Sequence, residues 1–190
     1  MKNAIEAFEA TGAILKGHFI LTSGKHSDTY MQCAKVFADP KFCEPLIKEL
    51  CQKLQGLNIT LVASPAVGGI IMGYAVAREL ECRNIFCERV EGKMALRRGF
   101  SVSESDRVLV VEDVVTTGGS VREVVELCVE AGAEIVGVAS LVDRSGGKVE
   151  FGCDFYNLIS LEIKAYEPDG CPLCKLGTPA VKPGSRNLNK

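Results

Sequence analysis

Apolar residues fall into short bursts divided by polar, glycine or proline breaks, and the bursts alternate between two periods. Mostly apolar runs at residues 60–63, 84–87, 107–111, 135–142 and 155–161 read as strands of a sheet covered on both faces. Between them the spacing turns helical. Phe42, Leu46, Leu50 and Leu54 recur on one face, after an Asp39-Pro40 start and before Gly56, with Pro45 leaving the first turn open. Residues 70–80 form a second helical stretch. Residues 120–131 form a third: Val121, Val124, Val125 and Cys128 face inward, Arg122, Glu123, Glu126 and Glu130 outward, and Gly132 ends it. Near the N-terminus, Ala4, Ile5, Ala7 and Phe8 suggest a short helix closed by Gly12. Residues 19–22 read as a strand, followed by a turn at residues 23–28 with Lys25 and His26 facing solvent.

Strands alternating with helices predict an α/β fold with a mainly parallel central sheet flanked by helices on both faces. Ligands in such sheets bind beyond the carboxyl ends of the strands. At 190 residues, 47% hydrophobic and 24% charged, the chain fits one domain over residues 1–190 with an ordinary core. A net charge of −2 offers no footprint for nucleic acid. No apolar run nears the ~20 residues of a membrane span, and the first residues lack a signal-peptide pattern. Nine scattered cysteines, an odd number, suggest reduced thiols and a cytoplasmic setting.

Chemistry concentrates in residues 108–120. A buried strand ends in Glu112-Asp113, then Val114 and Val115, then Thr116-Thr117-Gly118-Gly119-Ser120, where a helix starts. A helix N-terminus offers free N–H groups to an anion, glycines admit the backbone to it, and hydroxyls add donors. Adjacent carboxylates suit vicinal sugar hydroxyls, so a sugar phosphate is the indicated ligand. Neither G-x-x-x-x-G-K-[ST] nor G-x-G-x-x-G occurs. Residues 89–98 carry Arg89, Lys93, Arg97 and Arg98 against Glu91, which suits a basic lid over phosphates hinged at Gly92 and Gly99. Arg144 follows a predicted strand at the ligand edge, where a guanidinium can grip a planar carboxylate.

The 108–120 segment resembles the phosphoribosyl-diphosphate (PRPP) signature of type I phosphoribosyltransferases. Four further segments are similar to the orotate phosphoribosyltransferase family, in the branch found in Thermus-like bacteria and archaea. They are residues 19–30, Ser64-Pro65-Ala66-Val67-Gly68-Gly69, residues 87–100 and Asp143-Arg144. The tail from Cys171-Pro172-Leu173-Cys174 to Lys182-Pro183-Gly184-Ser185-Arg186 is like that branch as well. The resemblance implies a type I phosphoribosyltransferase fold with a small hood built from both termini. It implies transfer of phosphoribosyl from PRPP to orotate, giving orotidine 5′-monophosphate and diphosphate in pyrimidine (UMP) biosynthesis. Glu112 and Asp113 would hold the ribose hydroxyls, with Val114, Val115, Thr116, Thr117, Gly118, Gly119 and Ser120 around the 5′-phosphate. Arg89 and Ala66 would meet PRPP, and Thr116, Arg144 and Tyr30 would meet orotate. Lys93 and Asp113 would be the catalytic pair. It further implies Mg²⁺ carried mainly by PRPP, a mobile loop over about residues 89–106, and a homodimer sharing that loop. A purine-using transferase and a non-catalytic PRPP-binding regulator are the alternatives. Arg144 and the N-terminal motif oppose the first, and the chain has no spare length for a DNA-binding module.

Several positions depart from the family pattern. Thr22 and Val67-Gly68 stand where family members carry lysines, Val90 follows Arg89, no loop histidine exists, and the acids are Glu-Asp instead of Asp-Asp. Arg97 and Arg98 are candidates to replace the missing cations. Cys171-x-x-Cys174, in the tail at residues 168–190, is half of a zinc-ribbon spacing. No second C-x-x-C exists and both histidines, His18 and His26, lie far away in sequence, so no protein-held metal is expected. A structural or incidental role is the expectation, a thioredoxin-like pair being a poor fit to a proline-flanked tail. A site shared with Cys153 or a partner chain stays open.

Overall fold

Six strands assemble the central sheet in the computed structural model, which describes residues 4–21 and 23–183. Thr22 and the tail residues Gly184, Ser185 and Arg186 lie outside the described residues. The chain starts with α1 (Ala4–Ala10) and a hairpin of β1 (Ile14–Ile20) and β2 (His26–Met31). A 3₁₀ segment, Cys33–Ala38, leads into α2 (Pro40–Lys53). Then follow β3 (Leu61–Pro65), α3 (Gly69–Glu79), β4 (Arg83–Val90), β5 (Lys93–Leu96), β6 (Arg107–Val115), α4 (Gly119–Glu130), β7 (Glu134–Asp143) and β8 (Phe155–Ser160).

The sheet order is β5-β4-β3-β6-β7-β8, parallel except for β5. Residues on β6 show why its apolar run is unbroken. Leu109 and Val111 enter the core shared with α2 and α3, while Val108 and Val110 enter the core against α4. A strand covered on both faces has no position that water can claim. The chain runs outward from β3 through β4, then returns to β6 on the other side of β3. The loops after β3 and β6 therefore face each other across a crevice, which is where such sheets bind ligands.

Local chemistry sets the boundaries. Asp39 caps α2, its carboxylate accepting from the Lys41 N–H at 3.1 Å, with Pro40 in the first turn. Pro45 lies within α2 one turn later, with the helix intact around it. Three expectations change. Ile5 points outward from α1, and Ala4, Ala7 and Phe8 carry its buried face. The N-terminal strand begins at Ile14, and the turn is short because residue 26 already pairs with Ile20. Strand β6 continues through the acid pair to Val115, held by pairing with β7 as far as Asp143.

The basic stretch expected as a flexible lid is built on a hairpin. Residues 83–96 form an antiparallel hairpin in which Val90 pairs with Lys93. Glu91 and Gly92 both have positive φ, 50° and 84°, the signature of a two-residue type I′ turn. Gly92 is thus a hairpin tip and not a hinge. Gly99 sits in a second tight turn, where the Phe100 N–H donates to the Arg97 carbonyl.

Gly118, at the N-cap of α4, has φ +74°, and an added Cβ would lie 2.6 Å from Val149 Cγ1 and 2.9 Å from Phe151. Gly146 has φ +67° but open space around it. Gly146→Ala should cost about 1 kcal/mol, from left-handed strain alone. Gly118→Ala should cost about 1–3 kcal/mol more, because strain and overpacking combine. Denaturant midpoints compare them; equal losses would show that packing around Gly118 is not tight.

Candidate functional site

The carboxyls of Glu112 and Asp113 sit together at the crevice. The Asp113 N–H donates to Glu112 Oε1 at 3.3 Å, and the Val114 N–H donates to Asp113 Oδ1 at 2.9 Å. Burial pushes the Glu112 carboxyl above the usual carboxylate range, and the adjacent Asp113 charge and hydrogen bond push it further. Burial also raises Asp113, while hydrogen bonds from Glu112 and the backbone pull it back. The pair therefore keeps a proton more readily than two separate carboxyls would. Neither acid has an ion-pair partner among the described residues.

Across the crevice the loop after β3 comes close because it lacks side chains. A Cβ on Gly68 would lie 2.9 Å from Asp113 Oδ1, and one on Gly69 would lie 3.3 Å from Glu112 Oε1. The Ala66 N–H donates to the Cys87 carbonyl at 2.8 Å, anchoring the start of that loop, and Val67 is 82% exposed. On the other side, Glu112 and residues 114–121 line a polar concavity at the N-terminus of α4. Arg122 Nη1 donates to the Thr117 carbonyl at 2.8 Å, bracing the loop. Thr116 and Thr117 are exposed, so their hydroxyls face solvent and any arriving ligand.

Arg144 sits beside this concavity because its N–H donates to the Val115 carbonyl at 2.8 Å. Its Nε is buried without a hydrogen-bond partner, and burial lowers its pKa below the ordinary guanidinium range. Asp143, its neighbour in the chain, accepts from the Ser145 N–H at 2.7 Å and does not pair with Arg144. A desolvated guanidinium with an open donor edge is a receptor for a planar anion. Tyr30 and Cys33 lie close enough to Arg144 to influence it electrostatically. Cys33 in turn feels Asp113 and Glu112; burial, then the Asp113 charge, holds its thiol strongly protonated. Tyr30 is half-buried, donates to Gln32 Oε1 at 2.9 Å and packs against Phe19.

The hairpin residues are engaged elsewhere. Arg89 makes a two-pronged pair with Glu123 on α4, at 2.6 and 2.8 Å, and donates to the Gly92 carbonyl. Arg98 pairs with Glu88 at 2.7 and 2.9 Å and stacks on Phe86. Lys93 is exposed on the edge strand. The structure thus brings together Glu112, Asp113, the 114–120 loop, the 66–69 loop, Arg144 and Tyr30, and leaves Arg89, Lys93 and Arg98 outside that group.

Cys33 was not singled out in the sequence, since a lone cysteine in an apolar stretch gives no signal. His26 is the other change. It belongs to β2, and with His18 it meets Cys171 and Cys174, all four ligand atoms within 4.8 Å of one another. Cys153 is not in that group.

The phosphoribosyl transferase domain model matches residues 41–173. The chain is 54% identical over 187 residues to the orotate phosphoribosyltransferase of Caldanaerobacter subterraneus, covering 98% of each chain. It is 54% identical over 183 residues to that of Thermotoga maritima, covering 96% of this chain and 98% of the other. Among solved structures, the orotate phosphoribosyltransferase of Aeropyrum pernix superposes with TM-score 0.70 at 23% identity, over 90% of this chain and 97% of that one. An adenine phosphoribosyltransferase from Thermoanaerobacter pseudethanolicus superposes with TM-score 0.60 at 21% identity, over 70% and 88%. The fold is thus shared by enzymes named for different bases.

The buried acid pair gives a pH prediction. Glu112 titrates higher folded than unfolded, so the native state holds more protons in that window. Stability then falls as pH rises from the ordinary carboxylate range through the raised one. Glu112→Gln removes this ionisation, so it should flatten the fall between about pH 5 and 8 and stabilise the free protein at the upper end. One unit of upward shift is worth about 1.4 kcal/mol. Denaturant melts of both proteins across that range check it; parallel curves would mean Glu112 ionises freely.

Proposed function

The chain belongs to the orotate phosphoribosyltransferase family, and from that premise we propose how its residues divide the reaction. The enzyme transfers the 5-phosphoribosyl group of PRPP to orotate, releasing diphosphate and forming orotidine 5′-monophosphate. The observation that carries the assignment of the base site is Arg144: a half-buried arginine whose Nε is buried without a hydrogen-bond partner, tied by its backbone to the end of the strand that bears the acid pair. Orotate has the ring carboxylate that this guanidinium fits, and purines and uracil lack it.

In the proposed division, Glu112 and Asp113 accept hydrogen bonds from the ribose 2′- and 3′-hydroxyls. Once both are ionised, their charge lies where the ribose ring becomes cationic as the anomeric bond to diphosphate breaks. The 116–120 loop and the first N–H groups of α4 receive the 5′-phosphate. Gly68 and Gly69 keep the opposite wall open to the diphosphate, and Ala66 bounds it. Orotate approaches from the other face of the ribose, its carboxylate on Arg144 and its ring near Tyr30 and Thr116. Asp113 acts mainly by binding and charge.

Mg²⁺ arriving with PRPP would fit the donor set: hard carboxyl oxygens of Glu112 and Asp113, neither of which is in an ion pair among the described residues. When bound, the ion offsets the charge of the departing diphosphate. Arg89 and Lys93 serve the diphosphate only after the hairpin moves, because Arg89 must first leave Glu123. An exposed ion pair of this kind is worth about 1 kcal/mol or less, so arriving phosphate charge can replace it.

A homodimer that shares this hairpin is part of the proposal. Ile71 and Tyr74, 56% and 62% exposed on one face of α3, supply apolar surface for a two-fold contact. None of the nine cysteines is in a disulfide, which supports a cytoplasmic home.

Arg144→Ala should lower kcat/KM for orotate about ten- to a hundredfold and leave PRPP binding nearly intact. Asp113→Asn should do the reverse. Steady-state absorbance assays with PRPP and a divalent metal decide, with hypoxanthine, adenine and uracil as poor acceptors. Equal effects of both changes on both substrates would end the division of roles, and ribosylation of a purine in place of orotate would end the base assignment.

Mixing Lys93→Ala with Asp113→Asn protein tests the shared loop. Each is expected to be nearly inactive alone. After subunit exchange about half the dimers are mixed, and half of their sites are intact, so about a quarter of wild-type activity should return. Proven exchange with no recovery would place Lys93 at its own subunit's site or remove it from the mechanism.

A further inference from the structure

The group of His18, His26, Cys171 and Cys174 lies in the hood and plays no part in the reaction described above. Its assembly begins with a register shift in the first hairpin. Lys16 pairs with Thr29, but Phe19 pairs with Ser27, so Gly17 and His18 together oppose Asp28 alone. Side chains alternate along a strand, and a one-residue bulge reverses which face the later residues take. Ile20 pairs with His26 and shares its face, and His18, two residues earlier, therefore shares it too. In the register of Ile14 to Lys16, His18 would have faced away from His26.

The tail then closes over that face. Backbone bonds of 2.8 Å join His26 and Tyr166 in both directions. On the other edge of the hairpin, the Val181 N–H donates to the His18 carbonyl and the Ile20 N–H to the Val181 carbonyl, both at 2.8 Å. Between these anchors the chain makes a single helical turn, Pro172–Lys175. A spacing of three residues on such a turn brings Cys171 and Cys174 to the same side. His18 is 3% exposed and Cys171 fully buried, while Cys174 closes the outer side.

The imidazole of His18 is oriented for coordination. Its Nδ1 lies 2.7 Å from the Thr178 carbonyl oxygen, which can only accept. The proton therefore sits on Nδ1, and Nε2 presents a lone pair to the cluster, the outer support usual for a metal-binding histidine. From that Nε2, His26 Nδ1 is 2.8 Å away, Cys171 Sγ 3.5 Å and Cys174 Sγ 3.7 Å; Cys174 Sγ is 3.2 Å from His26 Nδ1. A tetrahedral zinc with Zn–N of about 2.0–2.1 Å and Zn–S of about 2.3 Å has ligand–ligand edges of about 3.3 Å for N–N and 3.6 Å for N–S. The nitrogen–sulfur spacings match within about half an ångström, and the two nitrogens need to part by about as much.

We propose that His18, His26, Cys171 and Cys174 hold one structural zinc ion that clamps the C-terminal tail onto the N-terminal hairpin. Two nitrogens and two sulfurs in a closed tetrahedral set suit zinc, and four protein ligands leave no position for a substrate. The clamp answers a stability need: a two-stranded hairpin is marginal by itself, and this one carries Tyr30 towards the base site. Ligands from two segments far apart in sequence make metal binding and closure of the hood a single event.

The test uses the full chain, purified without chelator. Elemental analysis should find about one zinc per chain. The cobalt-substituted protein should show tetrahedral visible bands and a near-ultraviolet thiolate charge-transfer band. Cys174→Ser, a change at the exposed ligand, should lose most of the zinc and the charge-transfer intensity while keeping the wild-type circular dichroism. Cys153→Ser should retain both. Chelation should lower the melting temperature of the wild type and leave that of Cys174→Ser unchanged. Wild-type protein that holds no zinc after gel filtration from a zinc-saturated solution would overturn the proposal. So would an octahedral cobalt spectrum, or a Cys174→Ser protein as zinc-rich as the wild type.

Discussion

Two carboxyl groups brought together at a buried strand end cost the free protein stability, since both are cut off from water and the charge of Asp113 makes Glu112 harder still to ionise. Much of the surrounding architecture is arranged about that cost. The β6 ladder runs past the pair to Val115, so the acids stand on rigid backbone. Gly68 and Gly69 bring a second backbone against them without side chains that would fill the crevice. Arg144, the nearby desolvated cation, forms no ion pair with them, so charge of both signs stays uncompensated until ligands arrive. The site is held in readiness by the sheet and made less stable by its own charges, a usual exchange of stability for function.

The remaining cations illustrate the reverse arrangement. Arg89 and Arg98 are satisfied at rest by Glu123 and Glu88. Their pairs are exposed and weak, so the hairpin is tethered without being locked. The hood is a third case. A short hairpin joins the main body through the chain leading to α2 and is flanked on both edges by tail backbone. The same hairpin places Tyr30 near Arg144 and two histidines near two thiols, so one small sheet contributes to both groups.

Legible in the order of residues alone were the alternation of strands and helices, the acid pair, the hydroxyl- and glycine-rich loop before α4 and the arginine after β7. Those signals are local: a run of apolar residues, a helix start or a glycine-rich turn acts over a few positions, and its physical meaning survives without knowledge of the fold. Boundaries were less legible where tertiary pairing extends an element. β6 absorbs Glu112 and Asp113 because β7 pairs beside them, and the basic stretch became a hairpin because β5 adds to the edge of β4. Which partners residues far apart would have was settled by the packing of the whole fold. It gave Arg89 to Glu123, left Arg144 free of Asp143, and set Cys33 among the site's charges. It also brought His18 and His26 to Cys171 and Cys174 across some 150 residues of chain, through a one-residue shift in a hairpin register. Side-chain facing in a strand depends on the count of residues between pairings, and that count is set by the neighbouring strand, which no local pattern records.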